Sequence, residues 1–164
     1  MTVHAAAQPV GAQSESAVKA AFLYKFSAYV EWPARAFGGP EEPVVIAVVG
    51  DDAVASSLEQ LIAGRPVEGR RITARRVGDG SAAESAHMLF VGKGAGSEIL
   101  RLPPGAVLVV TDRGGPIPPG SVIDFSTDSG RVRFSVALDA AEARSLKLSA
   151  RLLAVAQTVL GTQR

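Results

Sequence analysis

The chain contains no cysteine, which removes disulfide frameworks, thiolate nucleophiles and cysteine metal sites at once. Histidine is nearly as scarce: His4 and His87 are the only two, without His-x-x-x-His spacing or a supporting carboxylate pattern for metal. No run approaches the roughly eighteen apolar residues of a membrane span, and a formal charge of +1 gives no net pull toward nucleic acid or an anionic membrane. The one basic cluster, Arg70, Arg71, Arg75 and Arg76, puts Arg70 and Arg71 on opposite faces at strand spacing, as in a solvated edge strand.

Aromatic residues are few, nine in 164, yet five of them lie between Phe22 and Trp32. The largest apolar areas are therefore concentrated in one helix and its exit, AAFLYKFSAYVEWP, around which the chain is organised. Val18, Phe22, Phe26 and Tyr29 share one side at helical spacing, and Ala17, Ala21, Tyr24 and Ala28 form a second, smaller-sided face. Lys19, Lys25 and Ser27 interrupt an otherwise apolar circumference. One face is expected on a sheet, the other on a second contact within this chain or with another. Trp32, pinned by Pro33 and preceded by Glu31, has an apolar body and a polar N–H that suit either core packing or an interface.

At 164 residues and 47% hydrophobic, the chain suits one domain: a leader over 1–15, a domain over 16–160 and a tail over 161–164. The leader is small, polar and aperiodic, as after a signal-peptidase cut, or as in a cytosolic chain with an unstructured start. Ser14 or Ser16 can cap the first helix, which should end near Tyr29, before Pro33. Pro43–Gly50 is a continuous apolar run with the β-branched content of a central strand, followed by an Asp51–Asp52 cap and a helix through Val54, Leu58, Leu61 and Ile62 to Gly64. Further strands are expected at 71–77, 87–91 and 106–110, with a short helix over 96–102. Alternation over 122–126 and 131–136 around Thr127–Gly130 predicts a hairpin; a helical turn over 139–143 and a final helix over 149–160, with Leu152, Val155, Ala156 and Val159 inward, complete the chain. The fold class is α/β: a single domain with a mostly parallel sheet of about six strands, ending in an antiparallel hairpin and flanked by helices on both faces.

Candidate chemistry is thin. VGKGAGS, Val91–Ser97, sets three alternate glycines between a strand and a helix, with Asp112 twenty residues beyond Gly92. Its spacing is neither that of a dinucleotide fingerprint nor that of a P-loop, so a loop reading competes with phosphate binding. Asp51 and Asp52 are paired carboxylates at a strand end or a helix cap. Ser121, Ser126 and Ser135 lack a G-x-S-x-G context, and His87 begins a buried strand as a hydrogen-bonded core residue would. Lys147, Ser149 and Arg151 bring donors to a helix start, where an anion, an acidic partner surface or solvent would satisfy them.

Taken together, VKAAFLYKFSAYVEWP (18–33), IAVVGDD (46–52), HMLFVG (87–92), VLVVTD (107–112) and IDFSTDSGRVRFSVALDAAEARSLKLSARLLAVA (123–156) resemble the YfiR-like family. The resemblance implies a periplasmic α/β module that is a regulator, not an enzyme; no cofactor is expected, and the histidine and carboxylate spacing supports no metal site. Its partner would be a membrane-bound diguanylate cyclase, repressed through its periplasmic sensor part in control of cyclic di-GMP and biofilm formation. Homodimers and a small-molecule ligand are also within what the resemblance allows. Redox control through cysteine pairs, which some members carry, is excluded in a chain without cysteine. Matched by position, the partner- or ligand-binding candidates are Tyr29, Glu31 and Trp32 with Lys147, Ser149 and Arg151. The alternative is a small-ligand-binding module without a cyclase partner, using strand ends near Asp51, Gly92–Gly96 and Asp112.

Overall fold

The apolar run after Pro43 forms β2 (Val44–Val49), and its alternation sorts two cores. Val44, Ile46 and Val48 face one, and Ala47 and Val49 the other. This places β2 inside a sheet, as the unbroken hydrophobicity demands. The structure, a computed structural model, describes residues 10–64, 70–78, 85–95 and 102–161. Helix α1 (Val10–Tyr29) leads into β1 (Val30–Glu31), and β2 into α2 (Asp52–Ala63) and β3 (Ile72–Arg76). Then come β4 (Met88–Val91), β5 (Leu108–Thr111), β6 (Ile123–Asp128), β7 (Arg131–Ala137), α3 (Leu138–Ala143), β8 (Lys147–Leu148), α4 (Ala150–Val155) and β9 (Thr158–Leu160).

Seven strands make the main sheet in the order β3-β2-β4-β5-β6-β7-β9, parallel at every pairing except the β6–β7 hairpin. The expected mostly parallel α/β architecture is the one adopted. The hairpin turns through Ser129 and Gly130, both at positive φ (54° and 79°), which matches the right-handed twist of the two strands. Asp51 caps α2 by accepting from the Val54 amide at 3.0 Å. Edge strand β3 exposes Arg75 and Arg76, Arg71 just before it is exposed as well, and Arg76 pairs with Glu59 and Asp52. The helix expected over 96–102 lies outside the described residues up to 101.

Two expectations are corrected. Helix α1 starts at Val10, upstream of the proposed Ser14 and Ser16 caps, and its buried stripe is Lys19, Ala20, Leu23 and Phe26; Val18 is exposed. Phe22 sits at the border of that stripe, with ring centroids 5.3 Å from Phe134 and 6.0 Å from Phe125. The final helix stops at Val155, and Thr158–Leu160 becomes β9, parallel to β7, with the Gln157 amide donating to Phe134 O at 2.8 Å. Only Leu152 of its expected inward residues is buried, and Val155 is 64% exposed. The open edge of β7 offers backbone partners that a continued helix would have left unmet, and β-branched Thr158 and Val159 suit a strand.

Candidate functional site

Pro33 ends the run out of α1, and the two residues that follow the helix, Val30 and Glu31, pair antiparallel with Leu148 and Lys147. The register sets Glu31 opposite Lys147 and Val30 opposite Leu148, and the Ser149 amide donates to Tyr29 O at 2.9 Å. This small ribbon brings together all six sequence-derived candidates, which lie in two distant segments. Ser149 also caps α4, its hydroxyl accepting from the Leu152 amide at 3.2 Å, so the cap fixes where Arg151 projects. Glu31, Lys147 and Arg151 are exposed and have no intramolecular ion pair among the described residues; Tyr29 and Ser149 are half-buried.

Trp32 lies beneath this ribbon, 8% exposed, its Nε1–H donating to His87 O at 2.9 Å. Its ring meets Phe37 and His87 edge-on, and Phe37 stacks on the His87 imidazole at 4.3 Å. The guanidinium of Arg70 lies 3.7 Å from the Phe37 ring centre while Nη1 donates to Gly39 O and Glu42 O, so Arg70 belongs to this site and not to the solvated edge. An open groove of about 540 Å³ follows, walled by Val30, Trp32, Phe37, Val44 and Ile72, with Glu31 and Arg70 as its charged groups. Sequence gives no signal for Phe37, whose turn over 37–43 has no period, and the basic cluster suggests a solvated edge for Arg70, which the contact with Phe37 corrects.

His87 is a structural histidine. Its Nδ1 accepts from the Val45 amide at 3.0 Å, which leaves the proton on Nε2, 2.9 Å from Ala36 O. Burial lowers its pKa below the ordinary value, against the Ala36 carbonyl and the Glu42 carboxylate, which raise it; Arg70 adds to the lowering. The unfolded chain therefore takes up a proton first, near pH 6.5, so the His87 contribution is full above that pH and is lost as pH falls toward the folded value. Denaturant midpoints measured down a pH series should fall in the wild type and flatten in His87→Leu, which itself should cost about 1–3 kcal/mol for the unpaired Val45 amide.

Among the described residues, the strand ends proposed as a ligand crevice hydrogen-bond to one another, and Gly96 lies outside those residues. Gly94 N donates to Gly50 O at 3.0 Å and Gly92 N to Val49 O at 2.8 Å. A Cβ at Gly92 would stand 2.6 Å from the Asp51 Cβ, so these glycines allow two loops to touch. Asp112, 2% exposed, takes Lys19 Nζ at 2.7 Å, and the same ammonium donates to Glu15 at 2.8 Å. Asp124 accepts from the Thr111 hydroxyl and the Arg113 and Gly114 amides. Among the described residues no group of three or more His, Asp or Glu side chains is arranged to hold a metal.

The sequence profile of the YfiR/HmsC-like family matches residues 16–157. The chain belongs to that family. No curated protein gives a significant match. A solved structure similar to this YfiR/HmsC-like chain is a conserved domain protein from Vibrio cholerae O1 biovar eltor, at 13% identity and a TM-score of 0.55. The likeness covers 88% of this chain and 60% of the Vibrio chain, and at that identity it bears on the fold. Among the described residues, no helix is long and apolar enough to cross a membrane.

Proposed function

We propose that this YfiR/HmsC-like chain is a periplasmic regulatory binding protein, without catalytic activity, that represses an inner-membrane diguanylate cyclase by binding its periplasmic sensor part. Through that contact it would control cyclic di-GMP and biofilm formation. The observation that carries the reading is the β1–β8 ribbon, where Glu31 and Lys147 sit in register and Arg151 follows in α4, all three exposed and without an ion pair among the described residues, and where Glu31 also borders the groove walled by Trp32. Aromatic floor and charged rim are the anatomy of a protein–protein contact. Tyr29, Ser149 and Trp32 hold this surface in shape, while Glu31, Lys147 and Arg151 meet the partner.

Repression requires that the sensor's inactive conformation be bound more tightly than its active one. Moving a two-state equilibrium from about 1:99 to about 99:1 takes about 5.5 kcal/mol of differential affinity. The rival reading, a small-ligand module at the strand ends, has its carboxylates and glycine amides already engaged within the chain. The test is capture of membrane proteins from detergent-solubilised inner membrane on the tagged, exported chain. A membrane diguanylate cyclase should be recovered, and Lys147→Glu/Arg151→Glu should weaken its capture about tenfold or more while lowering stability by no more than about 1 kcal/mol, the cost of a second carboxylate opposite Glu31. Equal capture by the charge-reversed chain would remove this surface from the interface. Recovery of no membrane protein by folded wild type would sink the repressor reading.

A further inference from the structure

Arg144 closes helix α3 with its guanidinium fixed from two sides. Nε donates to Gly120 O at 3.1 Å and Nη1 to Gly105 O at 2.8 Å. Both acceptors are neutral carbonyls, and no carboxylate lies within ion-pair distance of Arg144 among the described residues. Lys19 shows the contrast, since it is buried against Asp112 and Glu15. Half-buried and unneutralised, the Arg144 charge is held at a cost that a bound anion would offset. Among the described residues, two of its five N–H donors are used, which leaves donors for another acceptor.

The side chain lines a cavity of about 380 Å³ between Pro103–Pro104 and Pro118–Pro119, at the small end of ligand pockets. Gly120 has φ +89°, and a Cβ there would stand 3.7 Å from Nη2 and 3.3 Å from Leu102 Cδ1, so the glycine keeps this end of the cavity open. Four rigid pyrrolidine rings provide apolar walls that lose no conformational freedom on contact. Among the described residues of the lining, Arg144 is the single cation, which matches a monoanion better than a dianionic phosphate.

We infer that this proline-walled cavity is a binding site for a small organic carboxylate, whose oxygens engage the open edge of Arg144 while a flat apolar body lies among the proline rings. The site is separate from the β1–β8 surface and does not depend on the repressor reading.

The test is an NMR titration of the full chain with benzoate. The Gly105 and Gly120 amides and the Arg144 Nε–H should shift saturably, with a Kd on the order of 1 mM. Benzamide, of the same shape but uncharged, should bind about tenfold more weakly. Pro104→Glu, at an exposed position, sets an internal carboxylate beside Arg144 and should abolish the benzoate shifts with the fold intact. Absence of saturable shifts at these groups in the wild type overturns the site. So does benzamide binding as tightly as benzoate, or undiminished binding by folded Pro104→Glu.

Discussion

Lys19→Met is expected to destabilise the protein by about 3–5 kcal/mol, a large share of the stability of an ordinary domain. Lys19 is 3% exposed, and its ammonium sits between Asp112 at 2.7 Å and Glu15 at 2.8 Å. Methionine fills much the same channel, so the loss is not one of volume. It comes from leaving Asp112 buried with no cation. Lys19→Met/Asp112→Leu removes both charges and should return stability to the wild-type level or above it, which urea denaturation of the three proteins would read directly. A single variant as stable as wild type would show that the pair contributes nothing. Burial alone would lower the Lys19 pKa, but the hydrogen bonds and charges of Asp112 and Glu15 outweigh it and raise the value above 10.5. The Lys19 contribution is thus complete below pH 10.5 and is lost as pH rises through the folded value. Glu15 titrates at the other end: its hydrogen bond to Lys19 lowers its pKa, so its share is present above 4.5 and fades as pH falls below.

Lys19 also shows what a linear reading of the chain can and cannot reach. Its spacing to Leu23 and Phe26 places it on the inward stripe, yet a lysine there only becomes a buried ion once the sheet order delivers Asp112 above it. β2, β4 and β5 were legible because strands buried on both faces are written as unbroken apolar runs. Helix α2 was legible from Asp51 and the Val54–Leu58 stripe, and the hairpin from alternation on either side of Ser129–Gly130. β9 was not, since Leu152, Val155 and Val159 repeat at helical spacing; the free edge of β7, a property of the assembled sheet, decides between the two. The β1–β8 ribbon has two residues per strand, too few for any period. Its residues stood out chemically, as an aromatic helix exit and a run of donors, but their adjacency comes from tertiary pairing alone.

Trp32→Ala should cost about 3–5 kcal/mol, because it empties the space beneath the ribbon and removes the donor to His87 O. Calorimetric or denaturant measurements would read the loss as a lowered midpoint. The same variant makes a poor test of contact, since lost capture of a cyclase would follow from a loosened ribbon as readily as from a missing side chain. Trp32→Phe separates the two. It keeps an aromatic ring against Phe37 and His87 and loses the N–H, a cost of about 1–3 kcal/mol that leaves the chain folded. With only 8% of the tryptophan exposed, folded Trp32→Phe should capture the partner as the wild type does, while Lys147→Glu/Arg151→Glu should not. If folded Trp32→Phe fails to capture and the charge reversal succeeds, the partner enters the groove and reads the indole itself. The interface then belongs to the aromatic floor, and Glu31, Lys147 and Arg151 are bystanders at its edge.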